Sequence, residues 1–208
     1  MEIILSILIG YALGCINPAY FFAKAKGFDI RTRGTKSAGA SNAKTTMGWK
    51  YGIICAIYDI SKSIIAMLII KLLVKDDTTL ITIAGCSAVI GHIFPFYLNF
   101  KGGKGFAAYI GVVAFLNWKL ALLLAIIGVS LSLITNWIVM ATLTFTITFP
   151  IFNIVSQAPI EVITASTVVS LVILFKHAVN FKRILQKEEI GINGKKTGIN
   201  LLKKEEEA

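Results

Sequence analysis

A glycine–lysine stretch between Gly91 and Gly105 holds the residue types best suited to chemistry in this chain. It closes an apolar segment and ends in Lys-Gly-Gly-Lys-Gly. Glycine exposes backbone N–H groups and readily adopts positive φ, and lysine adds a compact positive charge. We therefore expect a cradle for an anion such as phosphate, with binding groups from Lys101, Gly102, Gly103, Lys104 and Gly105. The alternative is a flexible turn that carries two lysines.

Small, hydroxylated and basic residues are concentrated in a second region, the Asp29–Lys44 segment. Backbone and hydroxyl donors suit phosphate oxygens, and the N-terminus of a following helix adds a favourable dipole. The spacing differs from that of a nucleotide P-loop. The candidate binding residues are Thr35, Lys36, Ser37, Ser41, Asn42 and Lys44. The alternative is a solvated basic loop in which Ser or Asn caps a helix.

A third group of polar residues lies near the end of the last apolar segment. His177 and Asn180 are three residues apart, so they share one face of a helix, and Arg183 follows at the same spacing. A neutral histidine can take a hydroxyl proton or donate to a phosphate. The alternative is an interfacial histidine that caps its own helix.

Two charged residues also interrupt the second apolar segment. Asp59 and Lys62 have helical spacing, and charges within a membrane are costly unless they pair or face a wet cavity. We expect a structural ion pair near the cytoplasmic end of that helix. His92 is expected to shape the end of the third helix.

Membrane helices must position these residues. The chain has 208 residues, 56% of them apolar, and a mean hydropathy of +0.76. Several apolar runs approach the roughly 20 residues that span hydrocarbon. No basic region or small-residue cleavage site accompanies the first run, so we expect a retained helix rather than a signal peptide. The three widely spaced cysteines are expected to pack, without a disulfide or metal site.

The net charge of +10 is distributed unevenly. Most basic residues lie between Lys24 and Lys50, in the glycine–lysine stretch, and from Lys176 onward. This distribution follows the positive-inside rule and predicts that all three regions are cytoplasmic. It favours contact with anionic lipid headgroups and argues against nucleic acid as a partner.

The apolar runs predict an all-α, polytopic bundle of seven transmembrane helices, with the N-terminus outside and the C-terminus in the cytoplasm. The first three spans are Ile3–Ala23, Tyr51–Val74 and Leu80–Leu98, and four more follow, of which Phe106–Leu116 is short. A five-helix arrangement with overlong or re-entrant segments is the alternative. We expect one transmembrane domain over residues 1–190 and a charged, disordered tail over residues 191–208.

The three motifs, in this order and spacing, resemble the bacterial acyl-phosphate-dependent glycerol-3-phosphate acyltransferases over nearly the whole chain. The family pattern GHxFPx[FY]LxFKGGKG is intact from Gly91 to Gly105, and HxxN[IF]xR[LI] is intact from His177, with Glu189 as the acid that follows. The first motif, GSGNxGATNxxR in the family, differs. Lys36 replaces a glycine and Thr45 replaces the arginine, which removes a bidentate phosphate ligand.

The resemblance implies a cell-membrane enzyme with a cytoplasmic site that needs no cofactor or metal. Its reaction would be acyl transfer from acyl phosphate to the 1-hydroxyl of glycerol 3-phosphate, giving lysophosphatidic acid and phosphate. Lys104, His177 and Asn180 would be catalytic, and Arg183 would bind substrate. No obligate protein partner is expected. Two alternatives are a paralogue with another phosphorylated acceptor and a non-catalytic phosphate- or lipid-binding membrane protein.

Overall fold

Helices dominate the part of the chain that the computed structural model describes, which comprises residues 1–74, 76–192 and 196–197. The α-helices are α1 (Glu2–Cys15), α2 (Pro18–Ala25), α3 (Ala40–Met47), α4 (Trp49–Leu73), α5 (Thr78–Ile93), α6 (Phe106–Leu116), α7 (Trp118–Thr135), α8 (Val139–Val155) and α9 (Ile160–Leu185). Short 3₁₀ turns occupy Ile30–Thr32 and Phe96–Leu98. Two strands of two residues each, β1 (Glu189–Ile190) and β2 (Lys196–Thr197), pair antiparallel after α9.

Five segments of the described chain are long and apolar enough to cross a membrane. They are Glu2–Ala25, Trp49–Leu73, Thr78–Leu98, Trp118–Thr135 and Ile160–Leu185. The two remaining apolar helices, α6 and α8, are shorter. The predicted helical membrane bundle is confirmed, whereas the number of seven spans stays a prediction.

The first predicted span is interrupted at Asn17 and does not form one continuous helix. Asn17 has extended backbone angles and precedes Pro18, and a residue before proline is disfavoured in the α conformation. The freed carbonyls are paired across the bundle: Tyr97 Oη donates to Cys15 O at 2.9 Å, and Lys62 Nζ donates to Ile16 O at 2.9 Å. Likewise α5 ends at Ile93, before Pro95, and the 3₁₀ turn Phe96–Leu98 completes the candidate span to the predicted end at Leu98.

Helix α5 lies at the centre of the bundle, in contact with α1, α4, α6 and α9. Small residues allow α1 to approach it closely. A Cβ at Gly10 or Gly14 would collide with the backbone of Ala84 or Ala88, and a Cβ at Gly91 would collide with the Tyr11 carbonyl. Close packing of this kind is typical of membrane helices. It fixes the end of α5, from which the glycine–lysine stretch begins.

The range predicted as a tail is described only in part. Gly191 and Ile192 follow β1, and the Ile192 N–H donates to Asn136 O at 3.1 Å, beside the start of α8. Lys196 and Thr197 form β2. Residues 193–195 and 198–208 lie outside the described residues, so the disordered tail stays a prediction.

Candidate active site

The three predicted groups of polar residues converge on one cavity of about 180 Å³. Nine of the residues that we singled out line it: Thr35, Ser37, Ser41, Lys44, Lys104, Gly105, His177, Asn180 and Arg183. The other five predicted site residues, Lys36, Asn42, Lys101, Gly102 and Gly103, are not among its lining residues. The polar lining residues that were not predicted to bind substrate are Thr45, Asp59, His92, Thr142 and Glu189.

Lys104 contributes a half-buried cation to the cavity. Its ammonium donates to Asn180 Oδ1, and Asn180 Nδ2 donates to Glu189 Oε1 at 2.6 Å. These two hydrogen bonds fix the orientation of the Asn180 amide, because the oxygen must face the cation and the NH₂ group must face the carboxylate. Burial lowers the pKa of Lys104 to about 8, against the opposing effect of Glu189, and nearby Arg183 lowers it further. An incoming anion would offset the cost of this desolvation, because its negative charge favours the charged form of the lysine.

His177 presents a lone pair to the cavity. Its Nδ1 lies 2.8 Å from the carbonyl oxygen of Ile173, one turn earlier on α9. Because a carbonyl can only accept, Nδ1 carries the proton, and Nε2 of the neutral ring is left as an acceptor. The side chain is 6% exposed and lines the cavity. Its geometry therefore suits a base for a hydroxyl proton.

The glycine–lysine stretch does not supply the backbone cradle that we predicted at Gly102 and Gly103. Their N–H groups donate to Ile93 O at 3.0 Å and His92 O at 3.1 Å, which ties the stretch to the end of α5. A Cβ at Gly103 would strike the His92 ring, and one at Gly102 the His92 carbonyl. These glycines thus allow close approach to α5. Lys101 is exposed and lies away from the cavity.

Backbone donors reach the cavity instead from two helix N-termini. Gly39 and Gly105 are the N-caps of α3 and α6, and in the described chain neither helix has a side-chain cap. Ala40 and Ser41 of α3, and Phe106 and Ala107 of α6, line the cavity. First-turn N–H groups have no partner within their own helix, and the helix dipole favours an anion there. These two helix ends therefore offer backbone donors to the cavity, which Gly102 and Gly103 do not.

Asn42 organises the Asp29–Lys44 segment rather than lining the cavity. Its Oδ1 accepts from the Thr35 N–H at 2.8 Å, and its Nδ2 lies within 3.0 Å of the carbonyls of Ile30, Arg33 and Ser37. The side chain is fully buried. It therefore holds the turn that presents the Thr35 and Ser37 hydroxyls, which lie 3.1 Å apart.

Arg31 anchors the same segment to the glycine–lysine stretch. Its guanidinium forms a bidentate pair with Asp29 and donates to Leu98 O at 2.7 Å. The pKa of Asp29 is lowered, chiefly by the hydrogen bond from the Arg31 side chain. Together with the bond from the Ala38 N–H to Gly102 O, this contact sets the segment against the stretch that carries Lys104.

Lys36 occupies a left-handed backbone conformation, with φ of 59°, and its side chain is exposed. This conformation costs a non-glycine residue about 1–2 kcal/mol. Glycine avoids that cost but loses more conformational entropy on folding, which offsets part of the difference. We expect Lys36→Gly to stabilise the protein by about 0.5–1 kcal/mol, read as a higher unfolding midpoint in detergent. A lower midpoint, or a loss of substrate affinity, would show that the Lys36 side chain contributes contacts of its own.

The charged pair within α4 forms as expected, with Lys62 Nζ 2.9 Å from Asp59 Oδ1. Both side chains are buried, at 2% and 1% exposure. His92 joins them: its Nδ1 lies 2.8 Å from Lys62 Nζ and 3.2 Å from Asp59 Oδ1. Asp59 and His92 also line the cavity. The pair therefore borders the candidate site as well as stabilising the helix packing.

Comparison with known proteins identifies the family to which a chain with this site belongs. The family model for glycerol-3-phosphate acyltransferase matches residues 4–187. The chain belongs to this family. The family predicted from the three motifs is confirmed, and the protein is an acyltransferase enzyme of the membrane.

Curated relatives match the acyltransferase over nearly its full length. The glycerol-3-phosphate acyltransferase of Thermoanaerobacter sp. (strain X514) is 34% identical over 200 residues, covering 96% of this chain and 100% of the relative. Glycerol-3-phosphate acyltransferase 1 of Oceanobacillus iheyensis is 32% identical, covering 91% and 94%.

Two solved structures share the fold of the acyltransferase. PlsY (YgiH), an integral membrane glycerol 3-phosphate acyltransferase, has a TM-score of 0.85 in its glycerol 3-phosphate form, with 30% identity and coverage of 92% of this chain and 96% of PlsY. Its lysophosphatidic acid form gives 0.81, with coverage of 92% and 95%.

Proposed function

We propose that this acyltransferase transfers an acyl group from acyl phosphate to the 1-hydroxyl of glycerol 3-phosphate, giving lysophosphatidic acid and inorganic phosphate. The observation that carries the proposal is the convergence of Lys104 and the uncapped first turns of α3 and α6 on one small cavity, beside the lone pair of His177. These groups match an anionic phosphate and a nucleophilic hydroxyl. The glycerol 3-phosphate and lysophosphatidic acid forms of PlsY support the same acceptor and product.

The size and charge of the cavity support a division of the substrates. A cavity of about 180 Å³ suits polar headgroups, since pockets that enclose drug-sized ligands have about 300–1,000 Å³. The acyl chain would then stay in the lipid. Lys104 and the first turn of α6 hold the acyl phosphate, while the Thr35 and Ser37 hydroxyls and the first turn of α3 hold glycerol 3-phosphate, with Arg183 nearby.

The reaction needs no covalent enzyme intermediate. The 1-hydroxyl oxygen attacks the carbonyl carbon of the mixed anhydride, the new ester bond forms, and the bond from that carbon to the phosphate oxygen breaks. His177 Nε2 takes the hydroxyl proton, and the phosphate leaves with the bonding electron pair. Lys104 and the α6 dipole stabilise the charge on the leaving phosphate. Positioning and preorganised electrostatics supply the catalysis because the donor is already activated.

An activity assay tests this proposal. Purified protein with palmitoyl phosphate and glycerol 3-phosphate is expected to release phosphate and form lysophosphatidic acid, and the gene should rescue an acyltransferase-deficient bacterium. A fatty acyl thioester donor in place of the acyl phosphate is the matched control. Turnover with the thioester alone would refute the choice of donor, and no turnover with either donor would refute the reaction.

A second acceptor is favoured by one observation in the Asp29–Lys44 segment. Thr45, which stands where the family has arginine, lines the cavity but donates its hydroxyl to Ser41 O at 3.0 Å. Lys44 Nζ lies 3.8 Å from the centre of the Trp49 ring. The arginine that can bind a phosphate through two N–H groups in the family is therefore absent from this chain. A panel of phosphorylated alcohols tests this, because a preferred acceptor other than glycerol 3-phosphate would identify a paralogue with altered specificity.

Lys104 gives the reaction a predicted pH dependence. Its pKa of about 8, lowered from 10.5 by burial, means that the cation is present below about pH 8 and is lost above it. We expect kcat/KM to fall as the pH rises through about 8. In Lys104→Arg the guanidinium stays charged, so the fall in kcat/KM should move to a higher pH, even if the variant turns over more slowly. If kcat/KM of the variant still falls near pH 8, a group other than Lys104 is responsible for the fall.

The placement of helix ends supports seven spans. Helices α6 and α8 both begin at the cavity, at Phe106 and Val139, and α9 brings Asn180 back to it. The α6–α7 and α8–α9 pairs therefore each leave the cavity side and return. With three earlier spans, seven crossings would put the N-terminus opposite the cavity and the C-terminus beside it. The basic segments around the cavity support a cytoplasmic location for its side of the bacterial cell membrane.

Labelling of single cysteines tests the topology in intact cells. Lys119, at the α6–α7 junction, and Lys26, after α2, are both exposed. A membrane-impermeant reagent is expected to reach Lys119→Cys from outside and Lys26→Cys only after permeabilisation. The three native cysteines are buried and serve as the background control. Protection of Lys119→Cys would favour five spans.

A further inference from the structure

His92 brings a hydrogen-bonding nitrogen into the candidate site that no mechanism above uses. The side chain is 2% exposed and lines the cavity. Its Nδ1 contacts Lys62 and Asp59. Within residues 1–74, 76–192 and 196–197, Nε2 has no hydrogen-bond partner. A polar nitrogen of a cavity-lining residue that lacks a protein partner normally meets water or a ligand.

Lys62 determines which ring nitrogen of His92 carries the proton. An ammonium can only donate, so the 2.8 Å contact makes His92 Nδ1 an acceptor. Lys62 also donates to Ile16 O at 2.9 Å and forms an ion pair with Asp59 Oδ1 at the same distance. The neutral ring therefore holds its proton on Nε2. His177 has the opposite tautomer, since its Nδ1 donates to a carbonyl.

The Nε2 edge of His92 lies close to the anion-binding groups. A Cβ built on Gly103 would collide with this edge of the ring, and Gly103 immediately precedes Lys104. On the other side, a Cβ on Gly39, the N-cap of α3, would lie 3.8 Å from the Gly103 Cα. The N–H donor is thus beside the Lys104 segment and near the start of α3. It adds a donor without adding a further positive charge beside Lys104.

We propose that His92 is a further substrate-binding residue, whose Nε2–H donates to a phosphate oxygen in the cavity. Lys62 and Asp59 are positioning residues that act through its ring. The inference rests on the proposed function, because that function supplies the phosphorylated ligands. Glycerol 3-phosphate and acyl phosphate share the chemistry, and kinetics with each substrate varied in turn distinguish them.

Two amide variants separate the two ring nitrogens. Asn at position 92 places an amide oxygen near the former Nδ1, where it accepts from Lys62, but leaves nothing at Nε2. Gln reaches further and restores an N–H near the former Nε2. We expect His92→Asn to raise the KM of one substrate by about tenfold or more, as for a lost bond to a charged group, with a smaller change in kcat. His92→Gln should stay within about threefold of the wild type.

The same variants give clear opposing outcomes. An unchanged KM for both substrates in His92→Asn would overturn the proposal. So would equal losses in the Asn and Gln variants, because those would reflect the lost packing of the ring rather than a donor at Nε2. Unfolding midpoints of both variants accompany the kinetics.

Nitrogen-15 NMR tests the ring without relying on turnover. The chain has two histidines, so labelled histidine gives two sets of ring signals, which His177→Asn assigns. We expect His92 to be protonated at Nε2 alone, and this signal to shift on addition of inorganic phosphate. In the double variant Asp59→Asn, Lys62→Met the single tautomer should be lost. A ring protonated at Nδ1, or a signal indifferent to phosphate, would contradict the proposal.

The failures of the two proposals are distinguishable. An inactive wild-type protein whose His92 signal still responds to phosphate would refute the reaction and retain the phosphate contact. An active wild-type protein, together with an unchanged KM in His92→Asn, would support the reaction and refute the phosphate contact of His92.

Discussion

Lys104→Ala is expected to lower kcat/KM for phosphate release by about a hundredfold to a thousandfold, the usual effect of losing a preorganised group that stabilises developing charge. The variant removes a half-buried cation from the cavity and leaves Asn180 Oδ1 without its donor. No lysine in the described chain takes its place beside Asn180. Initial rates with palmitoyl phosphate and glycerol 3-phosphate measure the effect.

Lys101→Ala is the matched control for this experiment. Lys101 belongs to the same glycine–lysine stretch and carries the same charge, but it is exposed and does not line the cavity. Its removal should change kcat/KM by no more than about twofold, as expected for a screened surface charge. Equal turnover by Lys104→Ala and the wild type would refute the role of Lys104. Equal losses in both variants would point to the charge of the whole stretch.

Replacement of His177 is the second large effect, expected in kcat. His177→Asn keeps an N–H that can donate to Ile173 O but lacks the Nε2 lone pair. Without a base for the hydroxyl proton, kcat should fall by about a hundredfold to ten-thousandfold, with little change in KM. His177→Ala, which loses both nitrogens, should be no more active than the Asn variant. Rates at saturating concentrations of both substrates measure this difference.

Lys176→Gln provides the control for position and charge on α9. Its ammonium lies 4.4 Å from the centre of the Phe94 ring and does not line the cavity, so near-normal kcat is expected. Substantial kcat in His177→Asn would assign the proton to the departing phosphate instead. A rise in KM at constant kcat would make His177 a binding residue only.

The residues on regular helices were the most predictable from the sequence. The three-residue spacing of His177 and Asn180 fixes them on one face of α9, and that of Asp59 and Lys62 on one face of α4. Such spacing is local and independent of the rest of the fold. That these faces meet across one cavity is tertiary information, which the local spacing of residues does not contain.

The loops were harder because their backbone partners are distant in sequence. Nothing local indicates that the N–H groups of Gly102 and Gly103 bind carbonyls at the end of α5, or that Asn42 binds three carbonyls of its own segment. One signal was available: glycine at the start of α3 and of α6 leaves both helices without a side-chain cap. For Thr142 on α8, no sequence pattern indicated a position at the cavity.

The brevity of α6 has a consequence for where the reaction takes place. Its eleven residues rise about 16 Å, roughly half of the 30 Å hydrocarbon thickness. On the proposed topology, a helix this short would set the cavity at its start closer to the fatty chains than the ends of the longer spans are. A donor can then react without being lifted out of its leaflet, and the ester product is formed already immersed in the lipid that it will join.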